Sequence, residues 1–349
     1  FEVGLQDWVP KANPVAQSRM RRGERDFFIE SEGHGVQRAT LLALLQATAE
    51  SRTAPESTAD QDRNNEQNHP GDQRSSLIVF VEEPEVYQHP VQARMMARSF
   101  ANAARTGNVQ FVLATHSPYF LDPNEIHNTF RVESFPTGSK ANRPNLHGVL
   151  AEKNTNGELD KYFLESVIES LFSRAALVVE GDTERAIFDT VPCGDNGITL
   201  RDLGISVAVA AGSNSLLDMA QLIHDFGVPI FVVRDGDSDN DIALNTAKIK
   251  AQSEIRDRFE CTPDFENEEH LKVALDKRDS LLDSWRSGVD SFVKKARETG
   301  FGDGLDDFEW GKGLQVGRYI GILNHDLESE LHSWPSFTDA AEEYGLPSD

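Results

Sequence analysis

An α/β fold is predicted for this chain, with two parallel sheets flanked by helices. Three features predict it. Apolar runs such as "SLIVFVE" (76–82) and "ALVVE" (176–180) are short and β-branched throughout, as strands covered on both faces are. Stretches of helical period separate these runs, so strand and helix alternate along the chain. Each run then breaks abruptly into carboxylates, histidine or glycine, which marks a strand exit.

Taken in order, "VQRATLLALLQATAE" (36–50) reads as a helix. Residues 51–75 are polar, with two prolines and almost no aliphatic side chains. They cannot bury enough surface to offset ordering entropy, so a disordered insertion is expected there. The strand 76–82, a helix at about 90–106 opened by Pro90, and the strand "VQFVLATH" (109–116) form one strand–helix–strand unit. A loose junction rich in Gly, Asn, Pro and Lys covers 136–160, and "LDKYFLESVIESLFSRA" (159–175) is a helix leading onward. The second half alternates again: strand 176–180, a helix from about 183, strand 206–211, the helix "LLDMAQLIHDFG", and strand 228–234. Residues 241–311 are charged and helical in pattern, and "GLQVGRYIGILN" (313–324) returns as a strand. The expected division is therefore 1–150 and 172–349, with a helical insertion at about 241–311.

The 349 residues carry a formal charge of −24, with 58 carboxylates against 34 bases. That balance argues against a broad basic surface for phosphate backbones, while leaving room for a local groove or for metal-bridged nucleic acid. It suits a salt-rich habitat, where screening weakens self-repulsion, and an ordinary acidic protein equally. Arginine outnumbers lysine, 23 to 11. Only Cys193 and Cys261 occur, too few for a disulfide framework or a zinc cluster, and they suit a reducing cytoplasm. No run of eighteen apolar residues is present, so no membrane partner is expected.

Four pieces of the first half carry chemistry: "GHGVQR" (33–38), "LIVFVEE" (77–83), "PEVYQHP" (84–90) and "LATHSP" (113–118). Gly33 and Gly35, opening a helix with Gln37, offer backbone N–H groups to phosphate. Glu82 and Glu83 at a strand end can hold Mg²⁺ and polarise water. His116, ending the next strand, can reach a γ-phosphate. In this order the set resembles the signature loop, Walker B, D-loop and switch histidine of an ABC-type ATPase head. Glu82 stands where many relatives carry Asp. No G-x-x-x-x-G-K-[S/T] loop is found in the 349 residues. The resemblance puts that loop upstream of the signature, so the chain is expected to be truncated and to bind ATP poorly alone. It also implies pairing of two heads, hence a homodimer or higher homo-oligomer.

The second half carries "ALVVEGDTERA" (176–186) and "IFVVRDGDSDN" (230–240). Glu180 ends one strand and Glu184 lies in the first turn of the next helix, with Gly181 for the tight turn and Thr183 as cap. Asp235, Asp237 and Asp239 follow the other strand, on one side by alternation. Between them "AAGSN" (210–214) offers Ser213 or Asn214 as a cap. Carboxylates are hard ligands suited to Mg²⁺, Mn²⁺ or Ca²⁺. The EF-hand pattern fails, because its sixth position is Asn240 and its twelfth Ala247. "ILNHDLESEL" (322–331) is a third acidic exit, with Asp326 and Glu328 as further ligands and a helix cap as an equal account of Asp326. A carboxylate, Gly, and a later Asp-x-Asp at strand ends resemble the Toprim domain.

A partial ABC-type ATPase head followed by a Toprim domain resembles the OLD (overcoming lysogenization defect) family of nucleases, GajA-like members included. The resemblance implies a metal-dependent DNA endonuclease with Mg²⁺ or Mn²⁺ at a two-metal site. It further implies control by an ATP- and Mg²⁺-using head, a role in defence against phage or mobile DNA, and in some cases a helicase partner. Glu180, Glu184, Asp235 and Asp237 are the implied catalytic ligands, with Glu83 and His116 serving the ATPase. The family's late lysine has no convincing match, since Lys312 precedes the last strand. Two other readings stay open. A topoisomerase- or primase-like enzyme would need a tyrosine nucleophile, and Tyr87, Tyr119 and Tyr162 lie in no obvious nucleophile context. A non-catalytic protein would clamp DNA under ATP control.

Overall fold

The computed structural model describes residues 19–22, 25–29, 32–33, 35–37, 40, 43–44, 77–106, 109–144, 161–192, 197–210 and 212–332. The insertion expected at 51–75 and most of the helix expected at 36–50 lie outside them. The chain forms two compact units, Phe1–Leu121 and Asp122–Asp349. This division falls ahead of the one the sequence suggested. The reason is a hairpin, β5 (Arg131–Phe135) with β6 (Gly138–Asn142), that is tied to the second unit. Arg131 Nε donates to the Leu171 carbonyl at 3.0 Å, and its guanidinium also reaches the carbonyls of Phe226 and Gly227.

In the first unit an antiparallel pair, β1 (Arg19–Arg22) and β2 (Arg25–Phe28), precedes the parallel pair β3 (Leu77–Glu82) and β4 (Val109–Ala114). Helix α1 (Pro90–Thr106) makes the crossover between β3 and β4, as a parallel connection requires. Phe100 packs on Phe111 at 4.8 Å between ring centres. A sheet covered on both faces was expected, yet Ile78, Phe80 and Val112 stay exposed. Within the described residues this sheet has two strands, too few to bury both faces.

The second unit is built on a sheet of order β10-β11-β9-β7-β8. Helix α2 (Lys161–Ser170) leads into β7 (Ala175–Val179). There follow α3 (Asp182–Thr190), β8 (Ile205–Val209), α4 (Leu216–Asp225) and β9 (Ile230–Arg234). Strand β7 pairs in parallel with β8 on one side and β9 on the other. Leu177 and Val179 face a cluster that includes Val207, Phe188 and Phe231, while Val178 between them is fully buried on the opposite face. Helix α4 supplies Leu216, Met219, Leu222 and Ile223, all with no exposure.

The expected helical insertion is a hairpin of α5 (Asn240–Phe259) and α6 (Glu268–Thr299). Alanines at 243, 247 and 251 with Ile255 form one buried stripe along α5. Asp239 and Asn267 cap the two helices through their side chains. Lys295 of α6 pairs with Asp218 of α4 at 2.7 Å and holds the hairpin to the sheet layer. The single strand expected at 313–324 is instead a short antiparallel pair, β10 (Gln315–Val316) and β11 (Ile320–Ile322), closed by a turn in which the Gly317 amide bonds Ile320. Strand β11 runs parallel to β9, and α7 (Leu327–His332) follows. No helix among the described residues is long and apolar enough to cross a membrane.

Two expected caps are corrected. Helix α3 is capped at Gly181, with Thr183 already inside the helix. Residues Ser213–Ser215 form a 3₁₀ turn without a side-chain cap, so neither Ser213 nor Asn214 caps α4.

Because β7, β8, β9 and β11 are parallel, their C-terminal ends open on one edge. There the loop after β9 is stitched to the loop after β11. The Leu323 amide donates to the Arg234 carbonyl at 2.9 Å and the Gly236 amide to the His325 carbonyl at 2.9 Å. Trp310 Nε1 donates to the Gly236 carbonyl at 2.8 Å. A Cβ at Gly236 would collide with the Leu323 carbonyl and stand 2.5 Å from that of Asn324. Gly236→Ala is therefore expected to cost about 3 kcal/mol, read as a shift of the denaturation midpoint, because both obstacles are backbone.

Candidate functional site

In the first unit, strand pairing sets Glu82 of β3 opposite Ala114 of β4, so both exits face the same end. The Glu83 amide donates to the Ala114 carbonyl at 2.7 Å, and Glu83 adopts the left-handed backbone, φ 46°. His116 Nε2 lies 4.0 Å from the Glu83 carboxylate, the side chain almost fully exposed. Glu83 and His116 thus stand together at adjacent strand exits. A residue not singled out from the sequence, Glu85, ties the two exits together. Its carboxylate accepts from Thr115 Oγ1 at 2.8 Å and from the His116 amide at 2.7 Å. The glycine-opened turn lies against the same segment: Gln88 Nε2 donates to the Gly35 carbonyl at 3.3 Å, and a Cβ on Gly35 would stand 3.1 Å from the Tyr87 carbonyl. Gly33 is open, and Gln37 Nε2 donates to the Glu32 carbonyl at 2.8 Å. Glu85→Ala is expected to release the His116 amide, raising its hydrogen-exchange rate about tenfold as one charge-assisted bond is lost.

In the second unit, the chain goes from β7 outward to β8, then returns to place β9 on the other side of β7. Such a reversal leaves a crevice beyond the strand ends, where open α/β sheets bind ligands. Glu180 and Asp235 exit at that crevice. The Asp235 amide donates to Glu180 Oε1 at 3.3 Å, across 55 residues of chain. Glu184, buried on the first turn of α3, accepts from the Gly181 amide at 3.1 Å and acts electrostatically on Glu180. Asp237 sits in the left-handed region, φ 50°, a conformation that few non-glycine residues adopt. Asp326, on the loop stitched to it, lies within its electrostatic reach. Asp326 also caps α7, its Oδ1 accepting from the Ser329 amide at 2.7 Å, so both accounts of that residue coexist. Asp239 Oδ1 accepts from the amides of Asp241 and Ile242 at 2.7 and 2.9 Å, as the cap of α5. The Glu328 side chain lies outside what the structure describes. Lys312 pairs with Glu309 at 3.2 Å on the surface.

Burial pushes the Glu180 carboxyl up to about 7, with Asp237 and Glu184 adding to the rise; Arg234 and the Asp235 amide oppose it. Asp237 is raised for the same first reason, partly offset by Arg234 and reinforced by Asp326. Arg234 is the group that sequence reasoning missed. It is 4% exposed, its Nε is 4.0 Å from Glu180 Oε1, and its Nη1 donates to the Asp235 carbonyl at 2.7 Å. The only sequence signal for it is a charge inside the apolar run "IFVVR".

Among the described residues, no three His, Cys, Asp or Glu side chains are gathered tightly enough to hold an ion as they stand. Their carboxylates instead accept from backbone amides and lean on Arg234. The donor set still fits a hard divalent cation: it is all carboxylate oxygen, half-buried, and mutually repulsive. Glu180, Glu184, Asp235 and Asp237 are the residues that would hold one.

Residues 9–121 match the family model of an AAA ATPase domain, and residues 171–237 match that of the overcoming lysogenization defect protein-like Toprim domain. By these two matches, in this order, the chain is similar to the ATPase–Toprim fusions of the OLD type. It is 28% identical over 304 residues to the Old nuclease of Escherichia phage P2, covering 86% of this chain and 44% of that protein. Over 196 residues it is 24% identical to the OLD nuclease of Thermus scotoductus, covering 53% of this chain and 32% of that one. The chain thus spans less than half the length of these curated relatives.

A carboxyl raised from 4.5 to about 7 holds its proton more tightly folded than unfolded. Its contribution to stability is complete below about pH 4.5 and is lost as pH rises through about 7, by up to ~3 kcal/mol. In chelator, stability relative to Glu180→Gln should therefore fall across that window. Parallel pH profiles for wild type and variant would contradict this.

Proposed function

We propose that this chain is part of a metal-dependent DNA endonuclease in which the Toprim unit cuts phosphodiester bonds and the ATPase unit controls assembly or cutting. The observation that carries the reading is the meeting of Glu180 and Asp235 at the crevice between β7 and β9, with Glu184 and Asp237 beside them. Acids gathered at one strand edge favour a cation as well as protons and N–H groups, and a cation at an open strand edge would meet phosphate.

A bound Mg²⁺ or Mn²⁺ supplies positive charge against phosphate oxygens and makes water a nucleophile near neutral pH. This chain's residues do the rest. Glu180 and Asp235, at the ends of two neighbouring strands, would hold the cation. Glu184 is held on the first turn of α3, its carboxylate fixed by the Gly181 amide. Asp237 has a left-handed backbone, next to the glycine that lets the two loops be stitched, and lies within electrostatic reach of Asp326. Glu180 would give up the proton that burial favours before holding a cation, so loading is expected to weaken below about pH 7.

For the ATPase unit we propose that Glu82 and Glu83 serve Mg²⁺ and water, that His116 contacts the terminal phosphate, and that Gly33, Gly35 and Gln37 face the nucleotide of a second copy. A homodimer, a role in defence against phage or mobile DNA, and a helicase partner extend the same reading.

In the full-length protein, Glu180→Ala and Asp235→Ala should each reduce Mg²⁺- or Mn²⁺-dependent nicking of supercoiled plasmid at least a hundredfold while leaving ATP hydrolysis intact. Undiminished nicking by both variants would refute the assignment. ATP-dependent retention of DNA with no cutting under any divalent metal would favour a non-catalytic clamp.

A further inference from the structure

We propose that Arg234 is a built-in counter-cation: it holds the acidic edge together while no metal is bound, and it opposes the metal that replaces it. The inference rests on reading that edge as a divalent-cation site.

A guanidinium is charged at any working pH, so a buried arginine needs a partner. The usual partner is one carboxylate in a bidentate fork. Arg234 departs from that pattern. Its side chain is 5% exposed, yet its Nε has no hydrogen-bond partner among the described residues and is 4.0 Å from Glu180 Oε1. Its Nη1 is directed to a backbone oxygen, that of Asp235, at 2.7 Å. Its charge is therefore shared across the edge rather than locked to one acid. Both Glu180 and Asp237 feel it.

The seat of the guanidinium explains why it stays. Its Cζ lies 5.2 Å from the ring centre of Phe292, which is buried on α6. A cation over an aromatic face is stabilised without claiming an anion. The helical insertion thus presents an aromatic backing that keeps the charge beneath the acids and out of solvent. Arg234 is a positioning residue, since nothing puts it in contact with substrate.

Two like charges serving the same acids must compete. In a half-buried site that competition weakens ion binding by several-fold. A purely packing role predicts no such competition. The test uses the full-length protein at fixed pH and ionic strength, with Mn²⁺ titrations by calorimetry and thermal melts in chelator and in saturating Mn²⁺.

Arg234→Met, similar in length and neutral, should melt lower in chelator, gain more from Mn²⁺ than wild type does, and bind Mn²⁺ about five- to tenfold more tightly. Arg234→Lys, which keeps the charge, should track wild type. Adding Glu180→Gln to Arg234→Met should restore part of the melting temperature in chelator, because one unbalanced acid is gone. Unchanged or weaker Mn²⁺ affinity in Arg234→Met, with equal loss of stability in chelator and in Mn²⁺, would overturn the inference. Should Arg234→Met fail to fold, a folded double variant upholds charge balance and an unfolded one rejects it. Wild type that takes up no Mn²⁺ would remove the metal-site reading itself, a result distinct from wild type that binds and variants that bind alike.

Discussion

Repulsion among half-buried carboxylates is the constraint on which the rest of the second unit depends. Glu180, Glu184, Asp237 and Asp326 act on one another at a single sheet edge. Like charges at such distances oppose folding unless protons, cations or N–H groups answer them. This chain answers in three ways. Backbone amides of Gly181, Asp235 and Ser329 donate to the carboxylates. Arg234 lies beneath them as a fixed positive charge. Burial holds the Glu180 carboxyl close to neutrality.

The backbone of the crevice is shaped by the same demand. Gly236 lets the loop after β9 pass against the carbonyls of Leu323 and Asn324, an approach that any side chain would block. That contact draws the loop after β11 alongside, with Ser238 Oγ bonding the Asn324 carbonyl and Trp310 bonding Gly236. Asp237 is then left with a left-handed backbone, within electrostatic reach of Asp326. Strain of this kind persists where surrounding structure enforces it, and it is frequent at functional sites. The insertion hairpin contributes from farther off, through Phe292 behind Arg234 and Lys295 on Asp218.

The first unit solves a smaller version of the same problem. Glu83 and His116 lie at adjacent strand exits because β3 and β4 are parallel and in register to their last residues. Glu85 closes the arrangement by accepting from Thr115 and the His116 amide. A strand–turn–strand edge is thereby fixed by side chain to backbone bonds where no ladder remains.

Much of this was legible in the sequence, and the reason is local. Strands such as 77–82 and 175–179 show as apolar runs because both faces of a parallel strand favour the same residue type. Helix α1 opens at its proline, and the insertion shows as charged helical periodicity. The acids were legible because they terminate apolar runs, and a parallel sheet then carries such ends to one edge. What tertiary structure decided is whatever depends on which end meets which. The strand order put β7 between β8 and β9, and so made Glu180 and Asp235 neighbours. Glu85 accepts from His116, 31 residues on, Gly236 accepts from Trp310, 74 residues on, and Arg234 reaches back to Glu180; no spacing rule reaches that far. The caps at Thr183 and Ser213 were misjudged for the same reason: the helices start where the sheet edge lets them, and Gly181 and Ser215 take those positions. Sequence determined which residues would be acidic, buried or turned; only the folded sheet decided which of those charges must share one space.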